Sequence, residues 1–511
     1  MYGAFSPDNF ELKEINNSNQ FILSNHNSHT LHTFFKINEL GEPFDQNYIY
    51  QPIGGSTSGA HQFYMRNDST YELVGVHLTP GSYPAVVFIS RYDSTLQNMI
   101  FTKFYEVRVS SPPGIVSFKT SDSSYAFGGG HSIAPGQYYP MLFKLDSALN
   151  VSWSQSYHDR VGYVQDMLQA ADGGYFLLMH LKVEGMVLTK TDSIGNILWS
   201  KNFASPFRKA QRMLLNSDST LTLLSYKNDH LLPNNYTGIN PVLTKVDFSG
   251  NVLWSISYGD ISNEFIFWAG NPILNIDAAG NNSSILCGSL LPQWHSYADM
   301  ILMKLDSSGL PLWSRRYGNA SFDELGSICH STSDGGIIAG GFNNYQINNF
   351  PPIPNLATVT IIKTDSLGFS DGCLEYPLTI SYQTDTPTVT NLTWSLYVDS
   401  LVTEIPSNMI DTSGTPTRNE NMCAFVSLME LNSTDNSLIL FPNPSDGTVH
   451  IKSESQMHFI SVIDITGREV LFIPGLDVTE YEIKIPNASA RIYFVRVGTQ
   501  QGIVTLKCLV K

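Results

Sequence analysis

Short apolar runs separated by turn-forming residues recur along most of the chain. Runs such as GYFLLM, MVLT and NILWSKNF are bounded by Gly, Asp, Asn and Ser. No segment shows a convincing apolar period of 3.6 residues, which is the spacing of a helix that packs on one face. Short strands with such boundaries are typical of antiparallel meanders, so the pattern predicts an all-β chain.

The apolar runs follow one another in a fixed order around a K-x-D element or its counterpart. LTKTDSIGNILWS at 188–200 returns as LTKVDFSGNVLWS at 243–255 and as LMKLDSSGLPLWS at 302–314. Each unit contains four predicted strands, and four-stranded units with a period of about 40 to 60 residues are typical of β-propeller blades, which stack to bury their faces. Seven basic anchors mark the units: Lys36, Arg91, Lys144, Lys190, Lys245, Lys304 and Lys363. The sequence therefore predicts a seven-bladed β-propeller.

The two ends of the repeat region predict how the ring closes. The chain starts in mid-unit at FELKEINN, and an additional run, GFSDGCLEY, follows the seventh anchor. We expect this last run to supply the strand missing from the first blade, which leaves no open sheet edge.

The D-S-x-G-N element predicts a tight turn followed by a packing residue. Asp and Ser side chains bond turn backbone groups and Gly adopts a positive φ, so 192–196 is predicted to be a β-turn. Trp153, Trp199, Trp254 and Trp313 share one register, which favours packing between adjacent blades over a ligand site. The spacing resembles the Trp-docking motif of pyrroloquinoline quinone dehydrogenases and, more loosely, the Asp box of sialidases. Neither activity is carried over, because no adjacent Cys pair occurs and no Arg triad is recognisable.

Long and uneven connections are predicted at the edge opposite these turns. Successive connections of a meander alternate between its two edges, so the DGG-type turns share an edge with the D-S-x-G turns. Aromatic residues of the opposite edge are expected to stack on a carbohydrate or to bind a partner protein. The alternative is that they pack against their own loops and stabilise them. The candidate ligand-binding residues are Trp268, Trp294, Tyr138, Tyr139, Tyr236, Tyr297 and Tyr345.

Composition and charge narrow the possible partners. The formal net charge of −16 repels nucleic-acid phosphate, so no nucleic-acid partner is predicted. No apolar run approaches the 18 or so residues of a transmembrane helix. The first residues, MYGAFSPDNFELKE, lack the basic and apolar regions of a signal peptide, so such a peptide is expected to have been removed or to lie upstream.

Catalytic and metal-binding patterns are weak. His26, His29 and His32 lie close together in sequence, but no recognised metal-ligand motif occurs, so no metal site, cofactor or catalytic residue is predicted. Five carboxylates on the long-loop edge keep an acid/base pair of a glycosidase or lyase open as an alternative. They are Asp260, Glu264, Asp299, Asp323 and Glu324.

Cysteine usage gives two expectations. Cys287 and Cys329 sit on strand-like apolar runs and are expected to be buried thiols. Cys373 and Cys423 bracket a Pro- and Thr-rich segment, where a disulfide and two free thiols are both open.

The last 75 residues break the repeat. ILFPNPSDGTVHIK, ISVIDITGREVLF and YEIKIPNASARIYFVRVGTQQGIVTLKCLVK resemble the C-terminal sorting domain of the type IX secretion system of Bacteroidota. The resemblance implies a small immunoglobulin-like β-sandwich, handling by the type IX secretion machinery, removal of this domain, and release from the cell or attachment to its outer surface. The residues that carry it are Pro442, Asn443, Pro444, Gly447, Asp464, Gly467, Arg468, Glu469, Val470, Tyr493, Lys507 and Lys511.

The sequence therefore predicts three parts and one class of function. Residues 1–375 are predicted as a propeller of seven four-stranded repeats, 376–436 as a strand-containing linker, and 437–511 as a secretion and sorting domain. The propeller part resembles uncharacterised repeat proteins that carry such a tail. We expect a secreted or surface-displayed binding or adhesion module rather than an enzyme, with a polysaccharide hydrolase or lyase as the alternative.

Overall fold

The chain forms two compact units, Met1–Asn419 and Glu420–Lys511. Every regular element described in the computed structural model is a β-strand, which confirms the all-β prediction. The structure describes residues 10–15, 20–27, 31–37, 43–50, 58–66, 70–77, 85–94, 99–107, 115–134, 137–204, 208–231, 237–259, 263–265, 267–268, 271–272, 274–280, 282–292, 298–318, 323–344, 357–370, 375–397, 402–405, 410–413, 438–464, 469–485, 492–499 and 502–510.

Up to residue 364, neighbouring strands of the first unit pair antiparallel within successive sheets, which we number 1 to 7 along the chain. Each of the first four sheets contains four consecutive strands. Sheet 1 contains β1 (Phe10–Ile15), β2 (Gln20–Asn27), β3 (Leu31–Ile37) and β4 (Pro43–Tyr50). Sheet 2 contains β5 (Ser58–Met65), β6 (Tyr71–His77), β7 (Ala85–Tyr92) and β8 (Met99–Val107). Sheet 3 contains β9 (Val116–Lys119), β10 (Tyr125–Ala134), β11 (Gln137–Leu145) and β12 (Val151–Tyr157). Sheet 4 contains β13 (Gly162–Gln169), β14 (Tyr175–Leu181), β15 (Gly185–Thr191) and β16 (Ile197–Ala204).

Sheets 5 and 6 also contain four consecutive strands each, whereas sheet 7 has three described strands instead of the predicted four. Sheet 5 contains β17 (Lys209–Leu215), β18 (Thr220–Leu231), β19 (Thr237–Asp247) and β20 (Val252–Tyr258). Three short strands follow, namely β21 (Asn263–Phe265), β22 (Phe267–Trp268) and β23 (Asn271–Pro272). Sheet 6 contains β24 (Asn275–Ala278), β25 (Ser284–Pro292), β26 (Asp299–Leu305) and β27 (Pro311–Tyr317), and sheet 7 contains β28 (Asp323–Ser331), β29 (Ile337–Asn344) and β30 (Ala357–Thr364). Strand β21 pairs with both β19 and β25 and so joins sheets 5 and 6.

Each Trp of the repeat packs on the turn glycine of the next sheet. A Cβ added at Gly309 would lie 2.8 Å from Cη2 of Trp254, and a Cβ at Gly368 would lie 2.8 Å from Cη2 of Trp313. Trp153 and Trp199 meet the corresponding glycines of sheets 4 and 5 in the same way. The prediction that these Trp residues pack between adjacent sheets is confirmed.

A tyrosine four residues after the Trp also contacts the turn of the next sheet. The buried hydroxyl groups of Tyr157, Tyr258 and Tyr317 donate to the carbonyl oxygens of the turn glycines of the next sheets, at 2.8, 2.7 and 2.6 Å. Sheet 4 has Phe203 at this register and therefore lacks the hydroxyl. The repeated stretch of sequence thus encodes a repeated contact between adjacent sheets.

The first strands of successive sheets also contact one another. Asp166 in β13 accepts a hydrogen bond from the backbone N–H of Met213 in β17 at 2.7 Å, and Asp277 in β24 accepts one from Ser331 in β28 at 2.9 Å. Strand β28 packs against β1, and the backbone N–H of Ser333 donates to Glu14 at 2.8 Å. Sheets 7 and 1, which are farthest apart in sequence, are therefore neighbours.

Residues after sheet 7 run back over the outer strands of the other sheets. Six short strands pair antiparallel with the outer strands β27, β20, β16, β12, β8 and β4, in that order. They are β31 (Glu375–Pro377), β32 (Tyr382–Thr384), β33 (Thr388–Asn391), β34 (Leu396–Tyr397), β35 (Val402–Ile405) and β36 (Ile410–Ser413). We call the described residues of 375–413 the belt.

The belt corrects the predicted mode of closure. The run GFSDGCLEY leads into β31, which pairs with the outer strand of sheet 6, and not with sheet 1. Sheet 1 has four strands of its own, so the prediction that the chain starts in mid-unit is wrong. Between its strands the belt inserts apolar side chains such as Ile380, which is 5% exposed in the core shared by sheets 5 and 6. Burying such a side chain contributes about 1.5–3 kcal/mol.

The C-terminal unit is built from five strands around one apolar core. They are β37 (Leu438–Phe441), β38 (Thr448–Asp464), β39 (Glu469–Lys484), β40 (Ile492–Thr499) and β41 (Gly502–Leu509), with β38 at the centre of the pairing. Register shifts interrupt β38 between Lys452 and Met457. Val449 and Ile451 from its first half and Ile460 and Val462 from its second half share the same buried core.

Candidate functional site

The Asp-centred turns occupy one edge of the sheets, which we call the turn edge. In 192–196 the Asp192 carboxylate accepts the backbone N–H groups of Ile194 and Asn196 at 3.0 and 2.9 Å, and Gly195 has a φ of 86°. The turns at 146–150, 247–251, 306–310 and 365–369 use their Asp in the same way. The predicted tight turn is confirmed.

The basic anchors of the repeat belong to the same edge. Lys190 Nζ lies 2.8 Å from Oδ1 of Asp172, which is in the DGG turn. The hydrogen bond from Lys190 lowers the pKa of Asp172 despite some desolvation. Lys144, Lys245 and Lys363 bond the equivalent acids in their own sheets at 2.7 Å. The prediction that the two kinds of turn share one edge is confirmed. The ion pairs join two strands of the same sheet at this edge.

Aromatic rings and imidazoles gather at the opposite ends of the strands in sheets 3 and 4, which we call the loop edge. Tyr138 and Tyr139, both predicted as ligand-binding, start β11 and are half-buried. The Tyr139 ring stacks on that of His158, with centroids 4.6 Å apart and planes at 10°. The Tyr138 ring lies 6.0 Å from that of Tyr163, in the first strand of sheet 4.

Two further imidazoles extend the group. The His131 ring lies 5.7 Å from that of His158, and the His180 ring lies 5.3 Å from that of Tyr163. We call these six residues the ring cluster: His131, Tyr138, Tyr139, His158, Tyr163 and His180. Aromatic rings with polar tips offer a large contact area together with hydrogen-bonding groups.

A glycine lets the two sheets approach at this point. A Cβ at Gly130 would lie 3.2 Å from the Cβ of Tyr163 and 3.5 Å from that of Tyr138. A Cβ at Gly128 would lie 2.8 Å from Cγ1 of Val164. The glycine run at 128–130 therefore serves close packing of sheet 3 on sheet 4.

His180 is held neutral within the cluster. Burial, and then the positive charge of Lys209, lower the pKa of His180 to about 4. Its Nδ1 is buried and has no hydrogen-bond partner among the described residues. A neutral imidazole offers one donor and one acceptor, so this side chain suits an uncharged polar ligand group.

Carboxylates near the cluster are engaged by other groups. Asp159 accepts the backbone N–H of Ser395 in the belt, and Glu184 pairs with Nε of Arg160 at 2.9 Å. Asp299, one of the acids considered for catalysis, is buried and lies 3.1 Å from Arg316. The side chains of Asp260, Glu264, Asp323 and Glu324 lie outside what the structure describes.

The other predicted residues fall largely outside the described ranges. Trp268 lies in β22, where its backbone pairs with Asn271, and its side chain is not described. Tyr236, Trp294, Tyr297 and Tyr345 lie outside the described residues, as do His29, Cys373 and Cys423. Cys287 and Cys329 are free and buried, which confirms their prediction as buried thiols.

Sequence reasoning missed four members of the ring cluster. His158, Tyr163 and His180 lie at strand ends or in a short connection, whereas the prediction considered long loops. His131 lies in the long run GGHSIAPGQYYP, from which the prediction selected only the two tyrosines. Applying the alternation of edges to the first and last residues of each strand and to the short connections would have placed all four at the loop edge.

In the C-terminal unit, Asn443 joins the Pro-Asn-Pro motif to the last strand. Its side-chain amide donates to the carbonyl oxygen of Lys507 at 2.6 Å and accepts the backbone N–H of Leu509 at 2.8 Å. Gly447, with a φ of 103°, accepts the backbone N–H of Ile485 at 2.8 Å through its carbonyl oxygen. Gly467, Arg468 and Lys511 lie outside the described residues, and only the backbones of Asp464 and Glu469 are described.

Residues 439–511 match the family model of the secretion system C-terminal sorting domain. The predicted resemblance is confirmed for this segment, and the segment indicates export by the type IX secretion system to the cell surface or the extracellular space. In the described part of the chain the structure contains no helix with the length and hydropathy that a membrane crossing needs.

Three solved structures that the chain resembles are distant from it, each at 9% identity. A protein of unknown function from Dyadobacter fermentans has a TM-score of 0.36, over 60% of this chain and 93% of its own. PorZ, a surface component of the type IX secretion system of Porphyromonas gingivalis, has a TM-score of 0.28, over 97% and 69%. A GH43_12 protein from a capybara gut metagenome has a TM-score of 0.25, over 72% and 91%. These values carry no argument about ligand or reaction, and the comparison with curated proteins gave no match.

Proposed function

We propose that the protein is an exported seven-bladed β-propeller that binds a glycan at its loop edge, followed by an immunoglobulin-like sorting domain. The division follows the predicted parts, with the propeller over 1–375, a segment over 376–436 that contains the belt apart from Glu375, and the sorting domain over 437–511. The ring cluster of sheets 3 and 4 is the observation that carries the binding function.

Closure of the sheets into a ring is supported by the contacts between their first strands. Contacts run from β1 to β5, from β5 to β9 and onward through the sheets to β28, and β28 packs on β1. The Ser333 side chain adds a hydrogen bond to Glu14 at 2.5 Å. A closed ring leaves no sheet face exposed at its ends.

Binding is favoured over catalysis by the chemistry of the ring cluster. Tyr138, Tyr139 and Tyr163 are half-buried, so each combines a fixed position with a partly open ring. Acid/base cleavage of a glycosidic bond needs two available carboxyl groups facing one bond. The carboxylates described beside the cluster, Asp159 and Glu184, are bound to a backbone N–H and an arginine. No described contact favours the hydrolase or lyase alternative.

The test is glycan-array binding of the purified full chain and of Tyr138→Ala and Tyr163→Ala variants. We expect array signals that both variants reduce at least about tenfold, since stacked rings at the centre of an interface contribute about 1–3 kcal/mol or more. Tyr382→Ala, at a half-exposed belt position, is the matched control and should retain binding. Equal binding by all variants, or no binding by the parent chain, would contradict the proposal.

A further inference from the structure

The belt passes between the outer strands of sheets 3 and 4, next to His158 of the ring cluster. The Trp394 ring lies 6.1 Å from that of Tyr157, edge to face, and its Nε1 donates to Oγ of Ser200 at 3.0 Å. The backbone N–H of Leu392 donates to the carbonyl oxygen of Ser200 at 2.9 Å. Trp394 therefore fills the gap between β12 and β16.

Three successive residues of the connection from sheet 3 to sheet 4 contact this part of the belt. The backbone N–H of His158 donates to the carbonyl oxygen of Ser395 at 3.4 Å, and Asp159 accepts the Ser395 N–H. Arg160 donates to the carbonyl oxygen of Thr393 at 2.6 Å, and its guanidinium lies 5.1 Å from the centroid of the Trp394 ring. A cation over an indole face is a favourable contact.

We propose that Trp394 and Arg160 are positioning residues, which hold the His158 imidazole on Tyr139 and so make the belt part of the ligand-binding edge. The His158 backbone is bonded to the belt while its ring is stacked on Tyr139. A shift of the belt at Trp394 therefore moves one face of the ring cluster and leaves the Tyr138–Tyr163 contact in place. The consequence for a ligand rests on the proposed function, but the coupling itself does not.

The belt repeats this kind of contact at other sheets. The backbone N–H of Gly259, just after β20, donates to the carbonyl oxygen of Ser381 at 2.8 Å. Asp385 of the belt bonds Arg208, just before β17, and Lys227 in β18. Between sheets 3 and 4, 4 and 5, and 5 and 6, the belt thus forms hydrogen bonds to the segment that connects the two sheets. Of these three segments, only the one between sheets 3 and 4 contains a residue of the ring cluster, His158.

The test measures nitration of Tyr139 and Tyr138 by tetranitromethane in the full chain without ligand, with peptide mapping by mass spectrometry. Trp394→Ala and Arg160→Gln should each raise the Tyr139 rate about fivefold by freeing His158, which corresponds to about 1 kcal/mol of local opening. The Tyr138 rate should stay within about twofold of the parent value. Val389→Ala, a belt variant in the core of sheets 4 and 5, and Trp394→Phe, which keeps a ring under Arg160, should both resemble the parent.

An unchanged Tyr139 rate in both Trp394→Ala and Arg160→Gln would overturn the proposal. An equal rise at Tyr138 would overturn it as well, because the belt would then act on the packing of the sheets in general. Since no ligand is used, absence of glycan binding on the array would remove the proposed function and leave this coupling standing.

Discussion

The contact between a Trp and the turn glycine of the next sheet predicts a difference between two glycine substitutions. Gly309 and Gly335 occupy turns with nearly the same backbone, with φ of +80° and +82°. A Cβ at Gly309 would lie 2.8 and 2.9 Å from two atoms of Trp254, whereas a Cβ at Gly335 meets no described heavy atom within 4 Å. Replacing either glycine with alanine therefore puts a side chain at positive φ. Only the replacement of Gly309 also brings the new methyl group against the Trp254 ring.

The magnitudes follow from these two terms. A side chain at positive φ costs about 1–2 kcal/mol at either position. Displacing a packed ring adds about 1–3 kcal/mol at Gly309 alone. We therefore expect the free energy of unfolding to fall by about 1–2 kcal/mol for Gly335→Ala and by about 2–5 kcal/mol for Gly309→Ala.

Denaturant unfolding of the full chain, followed by Trp fluorescence and by far-UV circular dichroism, measures both losses. In a Trp254→Leu background the cost of Gly309→Ala should shrink toward that of Gly335→Ala, since the smaller side chain leaves room for the methyl group. Equal losses for the two glycine variants in the parent chain would refute the packing of Trp254 on this turn.

Four other substitutions test separate contacts. Burial raises the pKa of Glu72, but the hydrogen bonds from Tyr125 and Arg91 outweigh burial and leave the pKa lowered. The stabilisation by the Glu72 carboxylate is therefore present above about pH 4.5 and is lost as the pH falls further. Glu72→Gln should lower the free energy of unfolding by about 3–5 kcal/mol at pH 7 and by less at pH 3 in denaturant titrations, and a pH-independent loss would contradict this. Asp385→Asn should speed limited proteolysis of the belt by weakening its bonds to sheet 5, and an unchanged cleavage rate would count against the belt contacts. Tyr258→Phe should lower the free energy of unfolding by about 1 kcal/mol through the lost bond to Gly309; no loss would mean that the hydroxyl is not buried as described. Asn443→Ala should destabilise the C-terminal unit by about 1–3 kcal/mol through its two lost bonds, measured as an earlier transition of that unit, and an unshifted transition would show that the motif does not hold the last strand.

The local features of the first unit were predictable because they depend on neighbours in sequence. Asp192 and Gly195 form their turn within five residues, and the Trp199 register follows from its distance to that turn. The four-strand units are strand–turn–strand patterns of the same short range. Packing of each Trp on the next sheet followed from repetition, because identical units meet through identical faces.

The belt was not predictable from such patterns. Its strands are two to four residues long, so they carry almost no alternation of apolar and polar residues. Each pairs with a strand distant in the chain, as when Lys201 meets Asn391. The predicted closure by GFSDGCLEY was wrong for this reason, since the local pattern shows a strand but not the edge that accepts it.

The ring cluster was predictable in part. Tyr138 and Tyr139 stand in a loop-like run, GGHSIAPGQYYP, and were predicted. Tyr163 and His180 lie inside the strand-like runs GYVQDML and YFLLMHL, where an aromatic ring resembles a core residue. Their role depends on the meeting of sheets 3 and 4, which is information about packing and not about local sequence.

Cross-linking of sheets 7 and 1 tests the proposed ring most directly. Glu14→Cys and Ser333→Cys, in a chain with Cys373→Ser and Cys423→Ser, place two thiols at the contact between β1 and the turn after β28. The ring predicts that a short bismaleimide links these two thiols within one chain, seen by intact mass and peptide mapping, and that it does not link Glu14→Cys with Ser217→Cys in the turn of sheet 5. Failure of the first pair to cross-link within one chain, or equal cross-linking of both pairs, would contradict it.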